Sequence, residues 1–257
     1  MSLCLICMTA QWIAAQKTNL FFVEAGPALS TFQDVKFSDV RYQGIGGAIR
    51  IGGNIQGEKA IFGYGLKFRI GSESPNTFDK SVTNFQPGLY VQYLRRIHEN
   101  LAIGAQWDMV DMYIRSIPGL MNNGSYIVTA SDLMLQGQLQ VRKLSIGLGV
   151  GIISYNRENI SFAFSAPQNA LEDGDFDYQN EALNNPLGLE FFEIQSLNKY
   201  LKLRTNFQYQ LNDRIGFSYH WEMRRFSTVK DYPTTLGAHR LTVRWNIVYK
   251  VKNKLKG

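Results

Sequence analysis

Ser218, His220 and Glu222 stand two residues apart in RIGFSYHWEMRRF. They offer a hydroxyl, an imidazole and a carboxylate, the group types of a nucleophile, a general base and an orienting acid. Their spacing speaks against acyl-transfer chemistry. On one extended strand, residues i and i+2 lie about 6.5–7 Å apart, too far for direct proton transfer unless the side chains lean together. The other histidines, His98 and His239, are remote in sequence, and the only cysteines are Cys4 and Cys7. No metal-ligand cluster follows from that set. Glu172, Asp173, Asp175 and Asp177 in LEDGDFDYQNE supply hard oxygens. They lack the twelve-residue calcium-loop pattern with its terminal Glu, so the segment reads as a solvated acidic loop. GIGGAIRIGG has the glycines of a phosphate cradle, but it alternates as strand and leads into another strand with no helix to receive a nucleotide. No catalytic residue, metal or cofactor is expected.

The elements that carry these residues are strands. In 214–226, Ile215, Phe217, Tyr219, Trp221 and Met223 form one row and Gly216, Ser218, His220, Glu222 and Arg224 the other. The same two-residue period runs through KLRTNFQYQL (202–211), HRLTVRWNIVYK (239–250) and LMLQGQLQV (133–141). Six more segments follow it, near 19–30, 42–54, 60–71, 85–96, 100–113 and 144–156. The count is about ten strands, with eight or twelve as alternatives. Residues 157–197 are the uncertain stretch, because ISFAF and LGLEFFEI could hide a further hairpin.

Short turns QGEK, IHEN, RK and ND alternate with longer connections near 31–41, 72–84, 114–125, 157–197 and 227–238. An antiparallel up-and-down barrel with one trimmed end has this pattern. Alternation alone does not say which row is wet. The apolar rows hold Phe62, Tyr64, Leu66 and Phe68 or Ile215 to Trp221, too bulky to converge inside a ten-strand barrel. The polar rows mix charge with glycine, as a crowded lumen would. The expectation is therefore an all-β transmembrane barrel, its apolar row toward lipid. Its lumen network would hold Glu24, Arg50, Lys67, Arg69, Asp108, Lys202, Arg204, His220, Glu222, Arg224 and Arg244. Closure should bring Glu24 on the first strand to Arg244 on the last, because open edges are costly in hydrocarbon.

The uncharged start MSLCLICMTAQWIAAQ reads as a signal peptide (1–16) without the usual basic start, leaving 17–257 as one barrel domain with no cysteine. The net charge is +6. Apart from the terminal KVKNKLK, the basic residues are scattered along strands, so nucleic acid is not an expected partner.

On the pattern over 19–250, and on segments such as FFVEAGPALSTF and GIGGAIRIGG, the chain resembles the small outer-membrane β-barrels of Gram-negative bacteria. More specifically it resembles the outer membrane protein beta-barrel group common in Bacteroidetes. Barrels of this kind commonly finish on an aromatic residue read by the assembly machinery, whereas here Tyr249 is followed by KVKNKLKG. The resemblance implies residence in the outer membrane, contact with outer-membrane lipid and lipopolysaccharide, and handling by the barrel assembly machinery. It carries no functional residues across. Residues 157–197 combine acidic residues with Phe162, Phe164, Phe176 and Tyr178, which suits an external protein or glycan. The functional expectation is a structural or loop-mediated recognition barrel. The alternatives are a narrow porin-like channel for small solutes, anions among them, a lipid-modifying enzyme, and a soluble periplasmic barrel.

Overall fold

In the computed structural model the described residues are 18–35, 38–75, 81–117, 124–161, 193–229 and 232–249. The expected signal peptide, both cysteines, the acidic loop at 171–181 and the terminal basic run lie outside them. The strands are β1 (Thr18–Asp34), β2 (Ser38–Gln56), β3 (Ala60–Pro75), β4 (Val82–His98), β5 (Leu101–Ile117), β6 (Gly124–Val141), β7 (Leu144–Ser161), β8 (Glu193–Ser196), β9 (Tyr200–Gln210), β10 (Ile215–Val229) and β11 (Tyr232–Tyr249). Every neighbouring pair is antiparallel, and β1 closes the ring against β11, from Asn19↔Tyr249 to Asp34↔Thr234.

Eleven segments make ten staves. β7 pairs Leu144–Val150 with β9 and Ile153–Asn156 with β8. The tripeptide 197–199 interrupts one stave, closed by Lys199 N–H donating to the Ser196 carbonyl at 2.9 Å. The expected ten-strand barrel is the observed one. Among the described residues the uncertain stretch contributes the end of β7 and the short β8.

The strands are longer than the sequence pattern indicated. β2 runs for 19 residues and β11 for 18, whereas a tilted crossing strand needs only about nine to eleven. Most of the expected loops at 31–41 and 227–238 are strand, with β1 pairing to β11 as far as Asp34↔Thr234. Past the membrane-length core, ladder pairing still satisfies backbone groups, and half-buried short polar side chains such as Thr31 and Thr235 fit a half-wet sheet. At the opposite, short-turn end, Val141 pairs with Leu144, and the two-residue turn between them sets Arg142 at φ 52°. That left-handed conformation matches the turn to the strand twist.

The barrel is inverted relative to a soluble one. Among the described residues, twenty-eight large apolar side chains are exposed, including Ile45, Tyr64, Leu66, Trp107, Phe217, Leu241 and Trp245. Glu24, Glu73, Asp108, Asp132 and Lys202 are meanwhile fully buried. Leaving that apolar surface in water would forfeit about 1.5–3 kcal/mol per large side chain. The outside of this barrel is therefore lipid-facing. Among the described residues no helix is long and apolar enough to cross a membrane; the strands do the crossing.

Candidate functional site in the barrel lumen

The lumen is stacked in three levels. At the loop end, Phe32, Tyr42, Val82, Tyr113, Val128, Tyr200, Phe226 and Leu236 form one buried cluster drawn from eight strands. Phe32 and Tyr113 stack with ring centroids 5.3 Å apart. The Arg115 guanidinium lies over Tyr42 at 3.8 Å and over Phe32 at 4.2 Å. Alternation put these side chains inside, in phase with the charged residues below, except on β5, where a bulge after Asp108 brings Tyr113 inward. Near the loops that row turns apolar and fills the bore.

Mid-barrel lies a charged layer. The Lys202 ammonium on β9 sits 2.6 Å from Asp108, 2.7 Å from Asp111 and 2.7 Å from Asp132. Lys67 on β3 adds contacts of 3.3 Å to Asp108 and 3.0 Å to Asp111. Arg224 reaches Asp132 at 3.4 Å and also bonds Asn156, while Ser154 donates to Asp132. The three carboxylates lie close enough together to hold a divalent cation, but the Lys202 ammonium already occupies the position such an ion would take. A void of about 10 Å³ lies beside this layer, between Arg69, Asp111, Tyr113, Arg224 and Leu236, roughly the space one water needs.

Below it, toward the short turns, a second network surrounds Glu24. Its carboxylate is 3.0 Å from Arg244, 3.1 Å from His220 Nε2 and 3.6 Å from Arg50. Thus the β1–β11 seam brings Glu24 to Arg244. Arg50 donates to the Tyr90 hydroxyl at 2.6 Å. Glu222 is held by Arg204 at 2.6 Å, with Arg240 at 3.5 Å. Ser218 Oγ lies 3.4 Å from Glu24. Ser218 and His220 therefore converge on a carboxylate from another strand, while Glu222 belongs to Arg204. This is an ion-pair arrangement, with no hydroxyl–imidazole contact of the kind acyl transfer requires. Arg69 sits near Glu73 at 4.0 Å, close to the aromatic level.

Between these networks and the short-turn rim lies a cavity with about 90 Å³ of room for water-sized spheres. One wall carries Arg50, Arg204, Arg240 and Arg244; the facing wall carries Gln92, Gln106, Gln136 and Gln138. Gln136 donates to Gln106 at 2.8 Å and Gln138 to Ser145 at 2.9 Å.

All eleven expected lumen residues line the bore, but they fall into separate networks. Asp108 and Arg224 belong to the mid-barrel layer with Lys67, and Arg204 bridges it to Glu222, 2.7 Å from Asp108. Asp111, Asp132, Arg240, Glu73 and Arg115 were not expected. Strict alternation from Asp108 would turn Asp111 toward lipid. A β-bulge after Asp108 inserts one residue and swings Asp111, Tyr113 and Arg115 inward. Asp132 and Arg240 are in phase with the inward rows of their strands; Asp132 lies one residue beyond the expected start of its strand.

The fold so defined, a closed antiparallel barrel with an apolar exterior and a polar bore, is that of the transmembrane β-barrels of Gram-negative outer membranes. The translocator domain of the autotransporter NalP from Neisseria meningitidis superposes with a TM-score of 0.51 at 12% identity, covering 94% of this chain and 95% of that one. Ail, the attachment invasion locus protein of Yersinia pestis, superposes at 0.40 with 10% identity over 90% of this chain and 99% of its own. OprG from Pseudomonas aeruginosa gives 0.38 at 10% identity, over 91% and 98%. The likeness is one of fold. No protein-family model matches the sequence, and no curated protein matches it.

Proposed function

We propose that this protein is an integral outer-membrane β-barrel with a sealed bore, whose role is structural or is recognition through the segments at its loop end. The observation that carries this reading is the stacking of two complete side-chain levels across the lumen. Lys202 is locked to three aspartates, and an aromatic cluster lies above it. Solute passage would require separating buried ion pairs and displacing packed rings at once. The short turns and both ends of the chain's barrel would face the periplasm, as in other barrels of this architecture. The acidic and aromatic composition of 157–197 supports contact with an external protein or glycan, and FFVEAGPALSTF and GIGGAIRIGG favour the Bacteroidetes-type group.

Two measurements test this. Unboiled protein from the detergent-extracted outer membrane should run faster on a gel than boiled protein. In a planar bilayer the same preparation should give no stepwise conductance. Discrete, anion-selective steps would replace the sealed-barrel reading with that of a narrow channel.

A further inference from the structure

The charge balance differs between the two polar levels. In the mid-barrel layer three carboxylates, Asp108, Asp111 and Asp132, meet three cations, Lys67, Lys202 and Arg224, and Arg204 reaches in from the cavity to Asp108 at 2.7 Å; over both levels seven cations face five carboxylates. At the cavity, four guanidiniums meet two carboxylates. Arg244 and Arg204 hold the close contacts to Glu24 and Glu222. Arg50 and Arg240 share the same carboxylates at 3.6 and 3.5 Å. Arg240 Nε is buried and makes no hydrogen bond, and neither does Asn206 Oδ1 on the same cavity lining. Buried charge in excess of its partners is costly, and an anion within reach of the guanidiniums relieves it.

The facing wall restricts the anion's chemistry. Primary amides both donate and accept, so Gln92, Gln136 and Gln138 suit hydroxyl or amide groups on the body of the ligand. The volume sets its size. At about 10–15 Å³ per water position, the space takes on the order of six to nine non-hydrogen atoms.

We infer that this cavity is a binding site for a small soluble oxyanion, a hydroxylated carboxylate or phosphate, entering from the short-turn end and stopped by the Lys202 layer. The binding is independent of the sealed-barrel reading, since a channel could hold the same anion; only the stop at the Lys202 layer rests on that reading. The gel and conductance results therefore bear on one and the titration below on the other.

The test is calorimetric titration of the folded, full-length barrel in dodecyl maltoside, a detergent without charge, using malate and inorganic phosphate as probes. Saturable one-to-one binding is expected for at least one probe. Arg240→Gln should weaken it tenfold or more, and Arg225→Gln, which alters an exposed arginine on the outer face, should leave it unchanged. Gln92→Glu places a carboxylate on the opposite wall while keeping every cation, and should weaken binding similarly; it decides the matter if Arg240→Gln does not fold. Malate alone binding would identify a carboxylate site, phosphate alone a phosphate site. Displacement of either probe by phosphatidylglycerol added to the micelles would assign the site to a lipid headgroup and overturn the soluble ligand. No saturable binding of either probe up to about 10 mM overturns the proposal, as does binding unaffected by both cavity variants.

Discussion

Replacing Lys202 with methionine is the sharpest perturbation of the lumen. The side chain is fully buried, and its ammonium contacts three carboxylates at 2.6–2.7 Å. Methionine keeps most of the volume and removes the charge. Asp108 would retain Arg204 at 2.7 Å and Lys67 at 3.3 Å, Asp111 would retain Lys67 at 3.0 Å, and Asp132 only Arg224 at 3.4 Å. Each carboxylate keeps a cation, but Lys67 and Arg204 are then shared between two carboxylates each and the layer is short of positive charge. Removing one partner from a buried ion pair costs about 3–5 kcal/mol. The retained contacts place this case near the lower end, about 3 kcal/mol, or roughly two powers of ten in the folded-to-unfolded ratio. The assay is a urea titration of folding into micelles, followed by intrinsic tryptophan fluorescence and checked by gel mobility. The double variant Lys202→Met with Asp132→Asn restores the balance and should recover more than half of the loss, a coupling that a double-mutant cycle reads directly. A loss below about 1 kcal/mol for the single variant, or strict additivity in the cycle, would refute the view that Lys202 is the layer's internal counter-ion.

Glu24→Gln leaves Arg50 and Arg244 facing each other at the β1–β11 seam and should cost about 2–4 kcal/mol; a gel showing unchanged heat-modifiability and urea midpoint would count against a charged seam. Leu241→Lys puts an ammonium on the lipid-facing row and should lower stability by about 2–4 kcal/mol if it lies near mid-membrane. The same change at Gln138, beside the cavity, should cost far less, so equal losses at the two positions would contradict the inverted reading. At the Val141–Leu144 turn, Arg142→Gly relieves a left-handed conformation and should raise the urea midpoint by an amount worth about 0.5 kcal/mol. Gly88→Val sets a side chain where Lys67 passes, since even a Cβ there would lie 2.3 Å from Lys67 Cε. It should uncouple Lys67 from Asp108 and Asp111 and destabilise in the same assay by about 1–3 kcal/mol.

Much of the barrel could be read from residue types because strand alternation is a local property. Phe217, Tyr219 and Trp221 opposite Ser218, His220 and Glu222 already state that one face is apolar and the other charged. Bulk then decides which face is outside, since a narrow bore has no room for successive aromatic rows. The extra strand length was less legible: polar β-formers such as Thr31 and Thr235 look alike in a loop and in a sheet projecting into water. Asp111 was hidden by the bulge that follows Asp108, because one inserted residue reverses every later side chain without leaving a mark in composition.

What the sequence determined by itself is the two-residue period, a local property of each strand, and the inversion of the barrel, which follows from the bulk of the apolar rows; the strand count it gave as about ten, with eight or twelve open. The partnerships inside the bore were decided only by the tertiary structure. Lys202 meets Asp108 across 94 residues and Glu24 meets Arg244 across 220, and their meeting depends on register, bulges and closure around the whole ring. A charge on an inward row must find a partner or a ligand. Only the closed barrel shows that Lys202 meets three carboxylates mid-barrel while four guanidiniums share two carboxylates at the cavity.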